Sequence, residues 1–165
     1  MKKYYAVIDT NVLVSATMAF NKSNEESSPY IILAKVLAGE IIPLYTDEII
    51  NEYKEVLSRP KFKFRPQLIA TLVNSIINHG INTQKADIEE ILPDPKDVVF
   101  YQVTLEGRKS QETYLVTGNL KHFPEKQFIV SPKQMLDIIL KDEADELFRN
   151  INKEISKNSD YDRSR

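Results

Sequence analysis

The sequence predicts an α/β protein built around a parallel β-sheet. Short, uninterrupted apolar runs, of which Tyr4–Ile8 is the first, are typical of strands buried on both faces of a sheet. Between these runs lie longer segments whose apolar residues recur every three or four positions, which is the spacing of an amphipathic helix. Strands that alternate with helices favour a parallel sheet with right-handed crossover connections.

The composition narrows the class of protein. The chain has 165 residues, of which 42% are hydrophobic, and this is enough for one domain with a proper core. It contains no Cys, which excludes disulfides and thiolate metal sites, and no apolar run long enough to cross a membrane. We therefore expect a cytoplasmic protein. Because the formal charge is −2, any binding of nucleic acid has to rely on a local basic patch or on metal ions.

The first part of the chain alternates strands and helices in the expected way. The predicted elements are a strand over Tyr4–Ile8, a helix through residues 12–16, a loop over 20–28, a helix from Pro29 to Gly39, a strand over Ile41–Tyr45 and a helix after Thr46. Proline suits the first turn of a helix and glycine its end. Thr46 can cap its helix, and Asp47 and Glu48 then lie in the first turn, where acids interact favourably with the helix dipole.

The alternation continues to the last strand. The predicted elements are a loop over residues 59–66, a helix over 68–80, a weak strand over 81–83, a helix that opens at Asp97, strands over 114–116 and 128–130, and a helix after Ser131. Ser131 and Gln134 have the spacing of a capping box, which marks a helix start. We place this α/β domain at residues 1–140.

Residues 141–165 form a C-terminal extension in this prediction. Its apolar residues keep helical spacing, and they are Ala144, Leu147, Phe148, Ile151 and Ile155. We expect this stripe to be buried against the same domain or against a second subunit. From Ser156 onward the sequence is polar, and we expect an irregular, frayed tail.

Asp9 and Glu52 are the first two candidates for chemistry. Asp9 follows the first strand, and ligands bind at the carboxyl ends of strands in open α/β sheets. The alternative is that Asp9 merely caps the next helix. At about 100° per residue, Glu52 lies roughly 40° from Val56, on the flank of the apolar stripe of the third predicted helix. The alternative for Glu52 is an ordinary surface position.

Two further polar residues extend this set. Asp97 opens a helix that is nearly all apolar, whereas Asp94, between two prolines, is better suited to a turn or cap beside it. Asn119 comes just after the strand over 114–116. The crossover rule brings these residues, with Asp9 and Glu52, to one edge of the sheet. Three carboxylates there would repel one another without a cation, and hard oxygen ligands suit Mg²⁺ or Mn²⁺.

A basic segment, residues 59–66, allows two interpretations. Cations alternate with aromatic residues there, and the cations are Arg59, Lys61, Lys63 and Arg65. The segment could hold a single strand of nucleic acid by phosphate pairing and base stacking. The alternative, which we favour slightly, is a solvated loop that tucks Phe62 and Phe64 into the core.

Rival site motifs are missing or incomplete. The sequence has no Walker A run and no G-x-G-x-x-G motif, and His79 and His122 lack the spacing of metal ligands. Haloacid-dehalogenase phosphatases also begin with an Asp at a strand end, but they use a second Asp two residues on. Asn11 occupies that position here. A phosphatase is therefore the less favoured alternative.

Four motifs in order resemble those of the PIN-domain nucleases, and in particular the toxin components of bacterial and archaeal toxin–antitoxin pairs. They are residues 8–15 (IDTNVLVS), 52–61, 94–97 (DPKD) and 116–124 (VTGNLKHFP). The resemblance covers about residues 3–140. It implies a three-layer α/β/α sandwich and a divalent-metal-dependent endonuclease, typically acting on single-stranded RNA.

The resemblance also implies roles for single residues and partners. Carried over residue by residue, it assigns metal ligation to Asp9, Glu52 and Asp97, hydrogen-bond support to Thr117, and orientation of Asp9 to Asn11. Asn119 stands where a fourth carboxylate is common, which weakens the expectation of a second tightly held metal. A protein antitoxin and a homodimer are the implied protein partners. A catalytically weak RNA- or protein-binding module on the same fold stays open as an alternative.

Overall fold

The computed structural model describes residues 2–164 as a sheet flanked by helices. The strands are β1 (Tyr4–Ile8), β2 (Ile41–Tyr45), β3 (Ile81–Asn82), β4 (Thr113–Val116) and β5 (Ile129–Val130). The helices are α1 (Thr10–Asn21), α2 (Ser28–Leu37), α3 (Asp47–Leu57), α4 (Pro66–His79), α5 (Val98–Arg108) and α6 (Pro132–Arg163). Short 3₁₀ turns lie at Pro60–Phe62, Pro95–Asp97 and Leu120–His122. The predicted strands and helices are confirmed up to β5, and most of their ends shift by one or two residues. α1 is longer than predicted, because it continues to Asn21, into the predicted loop.

β1 lies at the centre of the sheet. The strand order is β3-β2-β1-β4-β5, and every neighbouring pair is parallel. Tyr4 is in register with Ile41 of β2, and Ile8 with Val116 of β4. Because all strands run the same way, the residues that follow them meet at one edge of the sheet, which we call the carboxyl edge. The opposite edge, where β1 begins at Tyr4, is the amino edge.

Helices cover both faces of the sheet. Along β2, Pro43 lines the same small internal gap as Leu13 of α1 and Ile76 of α4. The next residue, Leu44, packs against α5, where a Cβ added to Gly107 would lie 2.5 Å from its Cδ2. Consecutive residues of a strand point to opposite faces, so α5 lies across the sheet from α1 and α4. The predicted three-layer α/β/α sandwich is confirmed.

Local capping signals begin the helices where the sequence predicts them. Thr46 Oγ1 accepts a hydrogen bond from the Ile49 N–H at 3.3 Å, so α3 starts directly after β2. Ser131 and Gln134 make both bonds of a capping box at the start of α6. The tight turn at Thr46 keeps the first half of α3 beside the carboxyl edge.

The last helix differs from the prediction. α6 runs from Pro132 to Arg163 without a break, so it crosses the predicted boundary between residues 140 and 141, and the expected frayed tail is wrong as far as Arg163. The physical reason is that residues 133–163 contain no Gly or Pro to stop a helix. Residues 143–164 are all exposed. Among the described residues, no helix is long and apolar enough to span a membrane.

Candidate active site

Asp9 lies at the carboxyl edge, between the end of β1 and the start of α1. Its backbone N–H donates to the Val116 carbonyl at 2.9 Å, and only 5% of the residue is exposed. The carboxylate makes no side-chain capping bond to α1. Instead, Oδ2 accepts hydrogen bonds from Asn11 Nδ2 at 3.0 Å and from Thr117 Oγ1 at 2.7 Å. The cap alternative therefore does not explain Asp9, whose carboxylate is held by donors from two separate segments.

The turn after β4, residues 117–119, holds Asn11 in turn. The Gly118 N–H donates to Asn11 Oδ1 at 2.9 Å, and the Asn119 N–H donates to Thr117 Oγ1 at 3.0 Å. A Cβ on Gly118 would lie 3.1 Å from Asn11 Oδ1, so a larger residue would push Asn11 away. Asn119 itself is exposed, and among residues 2–164 no hydrogen bond joins its side chain to an acid of the site.

Glu52 is attached to the same edge from α3. Thr10 Oγ1, at the first position of α1, donates a hydrogen bond to Glu52 Oε2. The neighbouring Tyr53 is fully buried, and its hydroxyl donates to the Ile8 carbonyl at 2.5 Å. These two bonds join the middle of α3 to the end of β1 and the start of α1. Glu52 is thus half-buried beside Asp9 and is not an ordinary surface residue.

Asp97 reaches the edge from the turn before α5. Its Oδ2 lies 3.0 Å from His122 Nδ1, which donates to the ionised carboxylate. The nearby Asp94 has a different task, because its Oδ1 accepts from the Lys96 N–H at 2.9 Å and caps the turn. The predicted division between a capping Asp94 and an Asp97 at the helix start matches these contacts.

The three acids are close enough to affect one another's protonation. Burial raises the pKa of Asp9 to about 6, and the negative charges of Asp97 and Glu52 add to the shift, while the hydrogen bond from Thr117 opposes it. Burial raises the pKa of Glu52 and of Asp97 as well, and the charge of Asp97 adds to the shift of Glu52. The carboxyl edge therefore concentrates negative charge in a poorly solvated place.

These acids do not form a ready metal cage. Among residues 2–164, no three acidic, His or Cys side chains are grouped closely enough to hold an ion. The expectation that Asp9, Glu52, Asp97 and Asn119 surround a metal is therefore not met in this conformation, in which each acid accepts a hydrogen bond from a donor of its own.

The chemistry of the donor set nevertheless fits a divalent cation. Three carboxylates supply hard oxygen ligands, which Mg²⁺ and Mn²⁺ prefer. A positive charge among them would reverse the mutual repulsion that raises the pKa values of Asp9 and Glu52. Asp9, Glu52 and Asp97 are the residues that would hold the ion.

Sequence reasoning missed His122 and Thr10. His122 has no metal-ligand spacing, yet it contacts Asp97, and its side chain is 44% exposed at the carboxyl edge. Thr10 belongs to the first motif, but no sequence pattern predicts that its hydroxyl donates a hydrogen bond to Glu52. Lys96 is a third addition, because its charge lowers the pKa of Glu52 and so lies near the acids. The one available signal was that these residues adjoin Asp9, Asp97 and the turn at 117–119.

The basic segment adopts the interpretation that the sequence slightly favoured. Phe64 is buried, and its ring stacks on that of Phe62 with centroids 5.5 Å apart. The two rings thus serve the packing of the loop and are not free to stack on bases. Arg59 pairs with Glu55 at 3.1 Å. The other cations of the segment, Lys61, Lys63 and Arg65, are exposed.

Comparison with known proteins identifies one family. The family model of the PIN domain matches residues 5–121, which is more than half of the chain. The matched region contains Asp9, Glu52 and Asp97 and ends one residue before His122. No curated protein matches the chain.

Proposed function

The chain belongs to the PIN domain family, and from that premise we propose that it is a divalent-metal-dependent endoribonuclease that cleaves single-stranded RNA. The family is generally one of nucleases. The observation that carries the proposal is that Asp9, Glu52 and Asp97 lie at the carboxyl edge, where burial raises the pKa of each acid and the charges of Asp97 and Glu52 add to the shift of Asp9. A cation that relieves this repulsion also offsets the charge of a phosphodiester, which is the main obstacle to its hydrolysis.

Asp9 is the anchor of the proposed site. Its backbone N–H donates to a carbonyl of β4, and its carboxylate accepts hydrogen bonds from Asn11 and Thr117. These bonds restrict the orientation of the carboxylate. Glu52 and Asp97 are only partly buried and approach from α3 and from the start of α5. The fixed carboxylate of Asp9 therefore offers an ion a defined ligand, with two further acids beside it. When bound, Mg²⁺ or Mn²⁺ supplies Lewis acidity that activates water and offsets phosphate charge.

Protons and the cation should compete for this site. Because burial raises the pKa of Asp9 to about 6, the metal-free site takes up a proton near neutral pH. Metal ligands have to be deprotonated, so affinity for the ion should fall as the pH falls through 6. Isothermal titration with Mn²⁺ at pH 7.5 and pH 5.5 measures this directly.

The substrate side of the proposal depends on exposed cations. With a formal charge of −2, the whole chain does not attract RNA, so local groups have to do so. Lys96 lies near the acids, and Lys61 and Lys63 are exposed at the end of α3. We assign phosphate contacts to these lysines. Base stacking on Phe64 forms no part of the proposal, because that ring is buried.

The direct test is cleavage of a labelled single-stranded RNA by the purified chain. We expect cleavage with Mg²⁺ or Mn²⁺, complete inhibition by EDTA, and recovery when the ion is added back in excess. A double-stranded RNA of the same sequence is the matched substrate control and should be cut more slowly. Cleavage that survives EDTA would overturn the proposal, and so would RNA binding with no cleavage under any metal.

The toxin role is a separate part of the proposal and has its own test. It is supported by the resemblance of the four motifs to toxin components. Induced expression of the chain should arrest bacterial growth, and the Asp9→Asn variant at the same protein level should not. If the wild-type chain is harmless to growth while it cleaves RNA in vitro, the toxin role fails and the nuclease assignment stands.

A further inference from the structure

One short segment contacts two of the three acids at the carboxyl edge. It covers residues 117–122, from the end of β4 through the 3₁₀ turn that follows, and we call it the bracket. At its first residue, the Thr117 hydroxyl donates to Asp9 Oδ2 at 2.7 Å. At its last residue, His122 Nδ1 donates to Asp97 Oδ2 at 3.0 Å. Two acids that lie far apart in the sequence are therefore held by the two ends of one segment.

Hydrogen bonds inside the bracket join its two ends. The Asn119 N–H donates to the Thr117 hydroxyl at 3.0 Å, and the Asn119 carbonyl accepts from the His122 N–H at 3.0 Å. Thr117 is fully buried, so the bracket starts from a residue inside the core. An unbroken series of hydrogen bonds thus runs from Asp9 through the bracket to Asp97. The bracket therefore relates the position of one acid to that of the other.

Asp97 depends on the bracket more than Asp9 does. The Asp9 carboxylate also accepts a hydrogen bond from Asn11. Asp97 makes no side-chain capping bond to α5, and among residues 2–164 His122 is the only side chain that hydrogen-bonds to its carboxylate. This contact uses Oδ2, and no described residue donates to Oδ1. A carboxylate with one oxygen held by a donor is suited to present its other oxygen to a metal ion in a defined direction.

His122 does not serve the packing of the core. Its side chain is 44% exposed, whereas the next residue, Phe123, is buried. The one hydrogen bond of its ring is the bond to Asp97. This bond does not require a charged ring, because Nδ1 carries a proton both in the imidazolium ion and in one neutral tautomer. The ring is thus placed by its contact with Asp97 and not by packing.

We propose that His122 is a positioning residue of the nuclease site, which holds the Asp97 carboxylate at a fixed place relative to Asp9 for the binding of a divalent ion. This role rests on the proposed function, in which Asp9, Glu52 and Asp97 bind Mg²⁺ or Mn²⁺. The family match does not supply it, because the match ends one residue before His122. Residues that hydrogen-bond to metal ligands are typically worth about 10–100-fold in metal affinity. His122 does not touch the ion in this role and acts through Asp97.

Calorimetry with Mn²⁺ on the full chain tests this role. His122→Ala removes the donor and should weaken Mn²⁺ binding by about 10–100-fold. His122→Asn places an amide N–H about where the Nδ1–H of the ring lies, so it should recover most of the lost affinity. Equal affinity of His122→Ala and the wild-type chain overturns the role, as does an Asn variant that binds as weakly as the Ala variant.

The matched control is His79→Ala, which should bind Mn²⁺ as the wild-type chain does. His79 is the only other His of the chain, and its ring contacts the Ser75 carbonyl on α4 at 2.8 Å. Thermal unfolding in EDTA checks that each variant folds. Because the His122 side chain is 44% exposed, we expect its variants to melt close to the wild-type temperature.

Proton NMR of the imidazole rings gives a second readout, which needs no change in the bracket. The chain has two His, so its spectrum contains two sets of ring signals, and His79→Ala assigns them. Addition of Mg²⁺ at constant pH should shift the signals of His122, because its ring contacts a ligand of the ion, and should leave those of His79 in place. Signals of His122 that stay unchanged at saturating Mg²⁺ overturn the role.

RNA cleavage at increasing Mn²⁺ separates a positioning role from direct contact with RNA. A loss of metal affinity is offset by more metal, so cleavage by His122→Ala should approach the wild-type rate at high Mn²⁺. A loss that excess Mn²⁺ does not restore would mean that His122 acts on the RNA itself, and would overturn the positioning role.

The wild-type chain distinguishes failure of this role from failure of the proposed function. If the wild-type chain neither binds Mn²⁺ nor cleaves RNA, both are overturned. If it binds Mn²⁺ and cleaves RNA while His122→Ala binds the ion equally well, only the role of His122 is overturned.

Discussion

The carboxyl edge and the C-terminal part of α6, residues 143–163, which we call the arm, depart from the usual distribution of side chains in opposite ways. At the edge, polar groups such as Asp9 and Thr117 are buried. Along the arm, large apolar groups such as Phe148 and Ile151 are exposed. At the edge, the free-energy cost of burying these polar groups is offset within one chain, because the Thr117 hydroxyl donates a hydrogen bond to the Asp9 carboxylate. For the exposed apolar side chains of the arm, the described chain provides no covering surface.

This difference separates what one chain can complete alone from what it cannot. Buried polar groups are costly unless they are paired, so the bonds around Asp9 fix its position before any ligand arrives. The edge still concentrates negative charge, because Asp97 and Glu52 both add to the raised pKa of Asp9. Exposed apolar surface is costly in water, and what the arm lacks is a second apolar surface. The edge therefore satisfies its buried polar groups within one chain, whereas the apolar groups of the arm stay exposed in the described chain.

The largest effect that would test the edge is the loss of Asp9. Asp9→Asn removes the anchoring charge, and RNA cleavage should fall by roughly 100-fold or more, since even residues behind metal ligands are worth about 10–100-fold. The melting temperature in EDTA should be equal or higher, because repulsion from Asp97 and Glu52 is relieved. Cleavage rates and thermal unfolding, measured on the same preparation, check both parts.

Asp94→Asn is the matched control for this substitution. Asp94 is an acid in the same stretch as Asp97, but it caps a turn, and Asn also caps. Its cleavage rate should stay within about threefold of the wild-type rate. If the two variants lose the same amount of RNA cleavage, the total negative charge of the edge matters and Asp9 has no individual role in cleavage.

The next effect in size concerns the donors that hold Asp9. Thr117→Val keeps the shape of the side chain and removes the hydroxyl that donates to Asp9 Oδ2 at 2.7 Å. Cleavage should fall by about 10–100-fold, and Mn²⁺ affinity should fall with it, as for other residues behind metal ligands. Thr117→Ser retains the hydroxyl and should restore most of both. If Val and Ser behave alike, the hydroxyl does not position the carboxylate.

The pH dependence of stability isolates the charge of Asp9. Burial raises the pKa of Asp9 from its ordinary 3.8 to about 6, so the folded state binds the proton more tightly than the unfolded chain does. The cost of the charged form is full above pH 6 and is relieved as the pH falls, so acidification stabilises the metal-free protein here. Between pH 7 and pH 5 the gain should be about 1 kcal/mol. Urea unfolding in EDTA of wild type and Asp9→Asn measures it by difference, and identical pH dependence in the two would contradict the assignment.

The elements around the edge could be predicted because their signals are local. Tyr4–Ile8 is an unbroken apolar run, and Thr46 and Ser131 cap helices by bonds to residues three positions on. The meeting of Asp9, Glu52 and Asp97 follows from the rule that parallel strands end at the same edge. That rule places residues near one another but says nothing of how each side chain turns.

The contacts that were missed are long-range ones. Thr10 meets Glu52 across 42 positions, and His122 meets Asp97 across 25. Such pairs depend on how α1, α3 and α5 pack, which no local pattern reports. The length of α6 was missed for a different reason. Polar composition indicated a frayed tail, but a polar segment without Gly or Pro can continue a helix that Ser131 has already nucleated.

The smallest predicted effect asks whether RNA contacts stay near the edge or extend over the molecule. Lys61 and Lys63 are exposed, and Lys61 Nζ also lies 5.0 Å from the centre of the Phe62 ring, whereas Arg59 is paired with Glu55. The double variant Lys61→Gln/Lys63→Gln therefore removes two exposed cations of the segment and leaves Arg65 in place. Each lost contact to a single strand lowers the slope of log affinity against log salt by about 0.7. The slope should therefore fall by about one to two units, with only a modest loss of affinity at physiological salt. The control is Lys153→Gln/Lys157→Gln on the arm, which removes the same charge and should leave the slope unchanged. Fluorescence anisotropy with labelled RNA and the inactive Asp9→Asn background gives both slopes. An unchanged slope for the first pair would confine RNA to the carboxyl edge, and a reduced slope for the pair Lys153 and Lys157 would mean that the C-terminal part of α6 also contacts RNA.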